Sequence, residues 1–206
     1  MRNIWDHPWF VVPVAMFFVF SGILAVFVPY SHEILYFNQW RYEPFNSIFL
    51  FFTHFGEFWA YIVFGLAVFF WKPRYTLIIA FVGLLAIPVG YFIKDAIGVD
   101  RPITYFEKKA SMADVVLVPG ADFNRGQTSF PSGHTMAAFA LYSLLVLMLG
   151  RRYERWGLGF ALLAILVGVS RIFLVQHFLI DVLAGAFIGL LLSGIVWNIA
   201  RRFLVI

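Results

Sequence analysis

Six apolar segments alternate with shorter polar stretches along the chain, and most approach the length that crosses a bilayer. A transmembrane helix needs about 20 consecutive, predominantly apolar residues. The candidate spans are residues 8–30, 57–71, 75–97, 132–149, 156–174 and 178–200. The pattern predicts an all-α polytopic membrane protein with six transmembrane helices in a helical bundle. We expect one integral-membrane domain over residues 1–206.

Residues 31–55 interrupt this pattern by mixing aromatic with polar side chains. Trp and Tyr favour the headgroup zone of a membrane, so the segment is typical of an interfacial element. An extension of the second span towards the N-terminus is an equally good interpretation. The other long polar stretch, residues 98–131, has a length that is usual for a functional or disordered loop.

Composition supports the membrane class and excludes several others. Of the 206 residues, 62% are hydrophobic and 13% are charged, whereas soluble domains carry about 25% charged residues. The basic residues are scattered between apolar runs, which argues against nucleic acid as a partner. The sequence contains no cysteine, so disulfides and thiolate metal sites are excluded. No signal peptide and no obligate protein partner are indicated, and residues 8–30 are expected to remain a span.

Basic residues set the expected orientation of the spans. They occur in the short loops after the second and fourth spans and near both termini, as Arg2, Lys72, Arg74, Arg151, Arg152, Arg155, Arg201 and Arg202. If the spans alternate in direction, all of these residues lie on one side. The positive-inside rule makes that side cytoplasmic.

Three clusters of polar and charged residues fall at the opposite ends of spans three to six. They are Lys94 with Arg101-Pro102, then Pro131-Ser132-Gly133-His134, then Ser170-Arg171 with His177 and Asp181. Ionisable residues in or beside membrane spans are energetically costly, which makes each of them a functional hypothesis. The alternating topology predicts that the three clusters meet at one face of the membrane.

Lys94, Arg101 and Arg171 would bring three positive charges together at this face. Guanidinium groups match phosphate oxygens with a planar fork, and an ammonium group acts as a point charge. A single basic residue near a span end usually reaches for the headgroup zone, which is the simpler interpretation of Lys94 alone. Three cations beside two histidines favour a phosphate site instead.

The start of the fourth span predicts an anion cradle. Ser132 is a suitable N-cap, Gly133 lets the backbone approach a ligand, and the free N–H groups of a helix start bind anions. An ordinary capped helix accounts for these two residues but leaves His134 without a role.

His177 and Asp181 are four residues apart and share one helical face. A carboxylate can fix the tautomer of an imidazole and leave its other nitrogen free to attack or to accept a proton. A structural polar pair between helices is an equally good interpretation of these two residues alone.

A metal site is the natural rival interpretation of His134, His177 and Asp181. A divalent cation would have to lie among three like charges with a single carboxylate in the set. Recruiting other carboxylates, such as Glu57, produces no metal-ligand spacing. We therefore expect neither a metal ion nor another cofactor.

The three clusters, written K-x6-R-P, P-S-G-H and S-R-x5-H-x3-D, resemble the signature motifs of the type 2 phosphatidic acid phosphatase family. They lie at residues 94–102, 131–134 and 170–181, and the residues before them match only as membrane spans. The family includes bacterial lipid phosphatases, undecaprenyl pyrophosphate phosphatases and vanadium haloperoxidases. The haloperoxidases are soluble, and this apolar chain fits them poorly.

The resemblance implies a metal-independent phosphohydrolase with a six-helix core. It makes His177 the nucleophile that forms a phosphohistidine, Asp181 its orienting partner, and His134 the acid that protonates the leaving oxygen. The residues that would hold the phosphate are Lys94, Arg101, Ser132, Gly133 and Arg171. The substrate would be a lipid phosphate or pyrophosphate such as phosphatidate, phosphatidylglycerol phosphate, undecaprenyl pyrophosphate or a lipid A phosphate. By analogy and by charge distribution, the site would face the periplasm from a bacterial inner membrane.

Two alternatives stay open. A lipid phosphotransferase would pass the phosphoryl group to a second lipid through the same residues. A non-enzymatic phospholipid-binding or transport protein could use the same scaffold, although binding alone needs no nucleophile with an orienting acid.

Overall fold

The computed structural model describes residues 3–203, and every regular element within this range is helical. The α-helices are α1 Pro8–Phe27, α2 His32–Tyr36, α3 Phe45–Thr53, α4 Phe58–Trp71, α5 Pro73–Ile97, α6 Pro102–Lys108, α7 Gly133–Met148, α8 Trp156–Phe173 and α9 Leu179–Phe203. Short 3-10 turns occupy Ile4–Asp6, Phe37–Trp40, His54–Gly56, Met112–Asp114 and Arg151–Tyr153. The predicted all-α fold is confirmed, and Arg2 of the orientation argument lies outside the described residues.

Each predicted span contains a helix, but only some of these helices can cross a bilayer unaided. Within residues 3–203, four stretches are long and apolar enough, namely α1, Pro73–Lys108, α8 and Leu179–Arg202. The bent pair of α3 and α4 raises this number to five if it counts as one span. α7 has only 16 residues. The chain is therefore a multi-pass membrane protein, for which six spans is an approximate count.

The segment 31–55 combines the two interpretations that its sequence left open. α2 and the turn Phe37–Trp40 form a separate short helical element. α3 then continues through the turn His54–Gly56 into α4, at an angle of 61°, as in a broken span or a re-entrant loop. Counted as one span, this bent pair begins at Phe45, earlier than residue 57.

α7 lies at the centre of the bundle, where it packs against α9, α8 and α5. All of its residues from 138 to 148 are buried. A helix that is apolar on every side is suited to such a position, because it has no face to present to water. The P-S-G-H cluster at its start is therefore held inside the protein.

Gly185 and Gly189 of α9 allow the close contact with α7. A Cβ atom on Gly185 would lie 2.5 Å from the carbonyl oxygen of Ser132, and one on Gly189 would clash with the carbonyl oxygen of Met136. Small residues four positions apart are a common device for close helix packing in membranes. The backbone N–H of Ser132 donates to the carbonyl oxygen of Asp181 at 3.0 Å. Helix packing thus sets the position of the P-S-G-H cluster relative to the start of α9.

The helix ends sort onto two faces of the bundle, as the alternating topology predicts. A cavity at one end is lined by Lys72, Arg151, Arg152 and Arg201, so the short basic loops lie together with the end of α9. The end of α5, the start of α7 and the connection from α8 to α9 lie at the other end. The three motifs are on those elements.

Candidate active site

The residues of the predicted site lie at helix termini or, for His177, in the connection between two helices. Lys94 is in the last turn of α5, and Arg101 occupies the N-cap position of α6. Ser132 occupies the N-cap position of α7, and Gly133 and His134 are its first residues. Arg171 is in the last turn of α8, His177 lies between α8 and α9, and Asp181 is in the first turn of α9. The structure brings these residues to one end of the bundle. Their convergence is the arrangement that the alternating topology predicts.

His177 and Asp181 form a buried pair. The exposed fraction of the side chain is 2% for His177 and 0% for Asp181, and Nδ1 of the imidazole lies 3.6 Å from Oδ2 of the carboxylate. The same Oδ2 accepts hydrogen bonds from the Ser129 hydroxyl at 2.5 Å and from the backbone N–H of Phe178 at 2.9 Å. The carboxylate is therefore held on the Nδ1 side of the ring, away from Nε2.

Ser129 also belongs to this site, although it lies outside all three motifs and was not predicted. It is fully buried, and its hydroxyl lies 3.5 Å from Nδ1 of His177 as well as within hydrogen-bond distance of Asp181. A serine in a loop is typical of turns. Its position two residues before Pro131 was the one signal in the sequence that could have revealed it.

The cations of the site are anchored by loop groups. Lys94 Nζ donates to the carbonyl oxygens of Thr128 at 2.6 Å and of Pro131 at 2.7 Å. Arg101 Nε donates to the Thr128 hydroxyl at 3.0 Å. These bonds hold two cations in place before any ligand binds.

Arg171 is the most deeply buried of the three cations. One terminal nitrogen donates to the Thr53 hydroxyl at 2.5 Å. Its Nε is buried and has no hydrogen-bond partner among the described residues. Because a buried guanidinium donor without a partner is costly, this nitrogen is suited to an anionic ligand.

Burial and the positive charge around His177 determine its protonation state. Burial, followed by the charges of Arg171, Arg101 and Lys94, holds the pKa of His177 well below its ordinary range. The imidazole is therefore neutral at neutral pH. A neutral imidazole is the form that can act as a nucleophile.

The start of α7 borders open space. Ser132 occupies the N-cap position, as predicted, but its hydroxyl pairs with that of Thr135 at 2.8 Å and does not cap the helix. A Cβ atom on Gly133 would meet no atom within 4 Å. The first N–H groups of a helix have no intrahelical partner, so this space can take an anion.

His134 stands at the edge of the same site. The positive charges of Arg171 and Arg101 act on its imidazole. Nε2 of His134 lies 3.7 Å from Oε1 of Glu57, and 32% of the histidine side chain is exposed. The second histidine is therefore close to the cations and also open to a ligand.

Two residues outside the motifs form a clamp, which here means hydrogen bonds to both ends of the connection between α8 and α9 that carries His177. The backbone N–H of Leu179 donates to Oε1 of Glu33 on α2 at 3.0 Å. Arg41 is buried, and its Nε donates to the carbonyl oxygen of Phe173 at 2.8 Å. The segment before α3 thus fixes both ends of this connection. The contacting residues are more than 130 positions apart in the sequence, so no local pattern reveals them.

An apolar groove leads away from the polar end along the side of the bundle. Its volume is about 410 Å³, and Glu57, Lys94 and Gly133 line one part of it. The rest of the lining comes mainly from apolar side chains of α4, α5 and α7. Of these, Leu84 and Ile87 are both 68% exposed, so the groove opens on the apolar flank of the protein.

No group of three or more His, Cys, Asp or Glu side chains in residues 3–203 is arranged to hold a metal ion. The expectation of a reaction without metal stays a prediction.

Comparison with known proteins gives consistent matches. The sequence profile described as the PAP2 superfamily matches residues 71–204. A phosphatidylglycerophosphatase B of Bacillus subtilis is 39% identical over 75 residues, which are 33% of this chain and 37% of that protein. A lipid A 1-phosphatase of Porphyromonas gingivalis is 41% identical over 65 residues, which are 32% of this chain and 15% of that protein. The matched segment thus spans well under two thirds of either relative.

Two solved structures share the fold. The crystal structure of Aquifex aeolicus LpxE has a TM-score of 0.69 at 22% identity and covers 84% of this chain and 96% of its own. The crystal structure of a transmembrane PAP2-type phosphatidylglycerolphosphate phosphatase from Bacillus subtilis has a TM-score of 0.68 at 23% identity. The match covers 92% of this chain and 96% of that chain.

Proposed function

The chain belongs to the PAP2 superfamily, and we propose that it is a lipid phosphatase that hydrolyses a phosphate or pyrophosphate group from a membrane lipid without a metal ion. The observation that carries this proposal is the junction of a cationic site with an apolar groove. Lys94, Arg101 and Arg171 supply charge for a phosphate, and the groove between α4 and α5 has room for lipid chains. The relatives named above act on phosphatidylglycerophosphate and on lipid A, and both of these are lipid-borne phosphates.

In the proposed reaction, Nε2 of His177 attacks phosphorus. A P–N bond forms while the bond from phosphorus to the lipid oxygen breaks, and the electron pair of that bond goes to the oxygen. His134 gives this oxygen a proton and later takes one from the water that attacks the phosphohistidine. A P–O bond to the water oxygen then forms while the P–N bond breaks, and the electron pair of that bond returns to Nε2 of His177. Inorganic phosphate leaves, and both histidines return to their starting states.

The remaining residues position and stabilise charge. Asp181 orients the imidazole of His177 and stabilises its positive form. The three cations and the N–H groups at the start of α7 face the charge on the phosphoryl oxygens. Catalysis of phosphoryl transfer comes largely from such positioning and charge stabilisation, and donors that are fixed in advance are the most effective.

The direct test is a panel of lipid phosphates and pyrophosphates given to the purified protein in detergent. Release of inorganic phosphate supports the proposal and identifies the head group. A labelled acceptor lipid in the same assay detects a phosphotransferase, and an inactive but substrate-binding protein would contradict an enzymatic role.

We also propose that the site faces the periplasm from a bacterial inner membrane. Because the sequence has no cysteine, a Ser111→Cys variant carries a single thiol in the loop after α6. We expect an impermeant thiol reagent to label it in intact spheroplasts. A Tyr153→Cys variant is the matched control and should react only after lysis. The reverse pattern would invert the orientation.

Metal independence gives a second test. We expect full activity in EDTA, because three fixed cations would supply the charge that a metal ion supplies elsewhere. Orthovanadate should inhibit, since it can adopt the five-coordinate geometry of phosphoryl transfer. Loss of activity on chelation, with recovery on adding Zn²⁺ or Mg²⁺, would overturn the role of His177 as nucleophile.

A further inference from the structure

We infer that Glu57 is the carboxylate that favours the protonated form of His134, the form in which it acts as general acid. The inference rests on the proposed function, which makes His134 the proton donor. Glu57 lies outside all three motifs. Its Oε1 is 3.7 Å from Nε2 of His134, and its side chain is 30% exposed, at the end of the apolar groove where Lys94 and Gly133 also lie.

The bend in the second span places Glu57 at this point. Glu57 occupies the N-cap position of α4, immediately after the turn His54–Gly56. Gly56 is buried against α7 and α8. A Cβ atom there would lie 2.6 Å from Cγ1 of Val167 and 2.8 Å from the carbonyl oxygen of His134. The absence of a side chain at Gly56 therefore lets the bend pack directly on the first turn of α7, which keeps Glu57 beside His134.

The charges that face His134 from other elements are otherwise positive or can become positive. They are Arg171 of α8, Arg101 at the start of α6, His177 between α8 and α9, and His54 of the turn before α4. Lys94 of α5 lines the same groove. Burial of the imidazole, followed by positive charge on any of these groups, opposes a proton on His134. A general acid must hold its proton until the leaving oxygen takes it, so the site needs a negative charge next to this imidazole. An opposite charge within about 4–6 Å favours the charged form.

His54 holds the carboxylate in place. Its Nδ1 lies 3.0 Å from the same Oε1 of Glu57, and 65% of its side chain is exposed. One carboxylate oxygen therefore faces two histidines, one directed to solvent and one to the site. We assign His54 and Glu57 as positioning residues that act through His134.

The test is the pH dependence of kcat/KM for Glu57→Gln with a lipid phosphate. Loss of the proton from His134 sets the alkaline limb of this profile. Because Gln has no charge, we expect that limb to move to lower pH by about one pH unit or more. At pH values above the shifted limb, kcat/KM for the lipid phosphate should fall about tenfold or more, while kcat/KM for p-nitrophenyl phosphate changes much less, since nitrophenolate hardly needs a proton.

Two further variants make the result specific. Glu57→Asp keeps the charge and should keep most of the alkaline limb. Glu107→Gln removes a carboxylate from α6, where it pairs with Arg125 at 2.9 Å, and should leave the profile unchanged. The melting temperature of each variant in detergent reports on folding separately.

The outcomes separate the inference from the proposed function. An unmoved alkaline limb in Glu57→Gln, or an equal loss on both substrates, overturns the role of Glu57 while wild-type activity still supports a lipid phosphatase. A wild-type protein that releases no phosphate from any lipid overturns the proposed function itself.

Discussion

His177→Ala should abolish turnover of every phosphate ester, whereas His134→Ala should abolish only turnover of esters with poor leaving groups. Without His177 no phosphohistidine can form, whatever the substrate. Without His134 the reaction lacks a proton for the leaving oxygen, and the cost depends on how much that oxygen needs one. General acid catalysis contributes about 10²–10⁴-fold, so a good leaving group should recover about that margin.

The measurement compares a lipid phosphate with p-nitrophenyl phosphate for both variants. A lipid alkoxide needs a proton to leave, while nitrophenolate is stable as an anion at neutral pH. The comparison requires that the small aryl ester enters the site, which the wild-type rate on that ester establishes. Recovery of activity in the His177 variant alone would mean that the two histidines have exchanged roles.

Asp181→Asn should lower kcat on a lipid phosphate by at least ~10²-fold without unfolding the protein. The analogous change in a serine protease costs about 10⁴-fold, because the amide gives the wrong tautomer. In this protein, two hydrogen-bond donors restrict how the amide of the variant can be oriented. Oδ2 accepts from Ser129 and from the N–H of Phe178, so these donors should keep the amide oxygen facing His177. The tautomer is then preserved, and the loss reflects mainly the missing negative charge.

Asp95→Asn is the matched control for this prediction. Asp95 lies next to Lys94 in the last turn of α5 but is exposed, so its variant should turn over within about twofold of wild type. Thermal unfolding in detergent checks that both variants fold. Near-normal turnover of Asp181→Asn would make Asp181 a structural residue, since only the charge has been removed.

The sequence predicted the helices and the convergence of the motifs because both depend on local patterns. Apolar runs define spans, and alternation of spans places Lys94, His134 and His177 at the same end. Such patterns report which residues are apolar, but not what surrounds them. α7 is apolar because other helices enclose it, so it can be shorter than a lipid-facing span.

The missed parts of the site depend on contacts between distant segments. Ser129 acquires its role from Asp181, and Thr53 acquires its role from Arg171 of α8. Neither the bend at Gly56 nor the clamp formed by Glu33 follows from periodicity. Each arises from how one helix packs on another, which is a property of the assembled bundle.

The groove between α4 and α5 determines which concentration of substrate the protein meets, that in the bilayer or that in the bulk solution. Leu84 and Ile87 line its opening, which lies on the apolar flank of the bundle. A lipid that enters by this route is drawn from the two-dimensional solution of the bilayer. The rate of encounter then follows the mole fraction of the phosphorylated lipid among its neighbours. Diluting that lipid with inert lipid would slow the reaction, whereas diluting whole membranes in buffer would not.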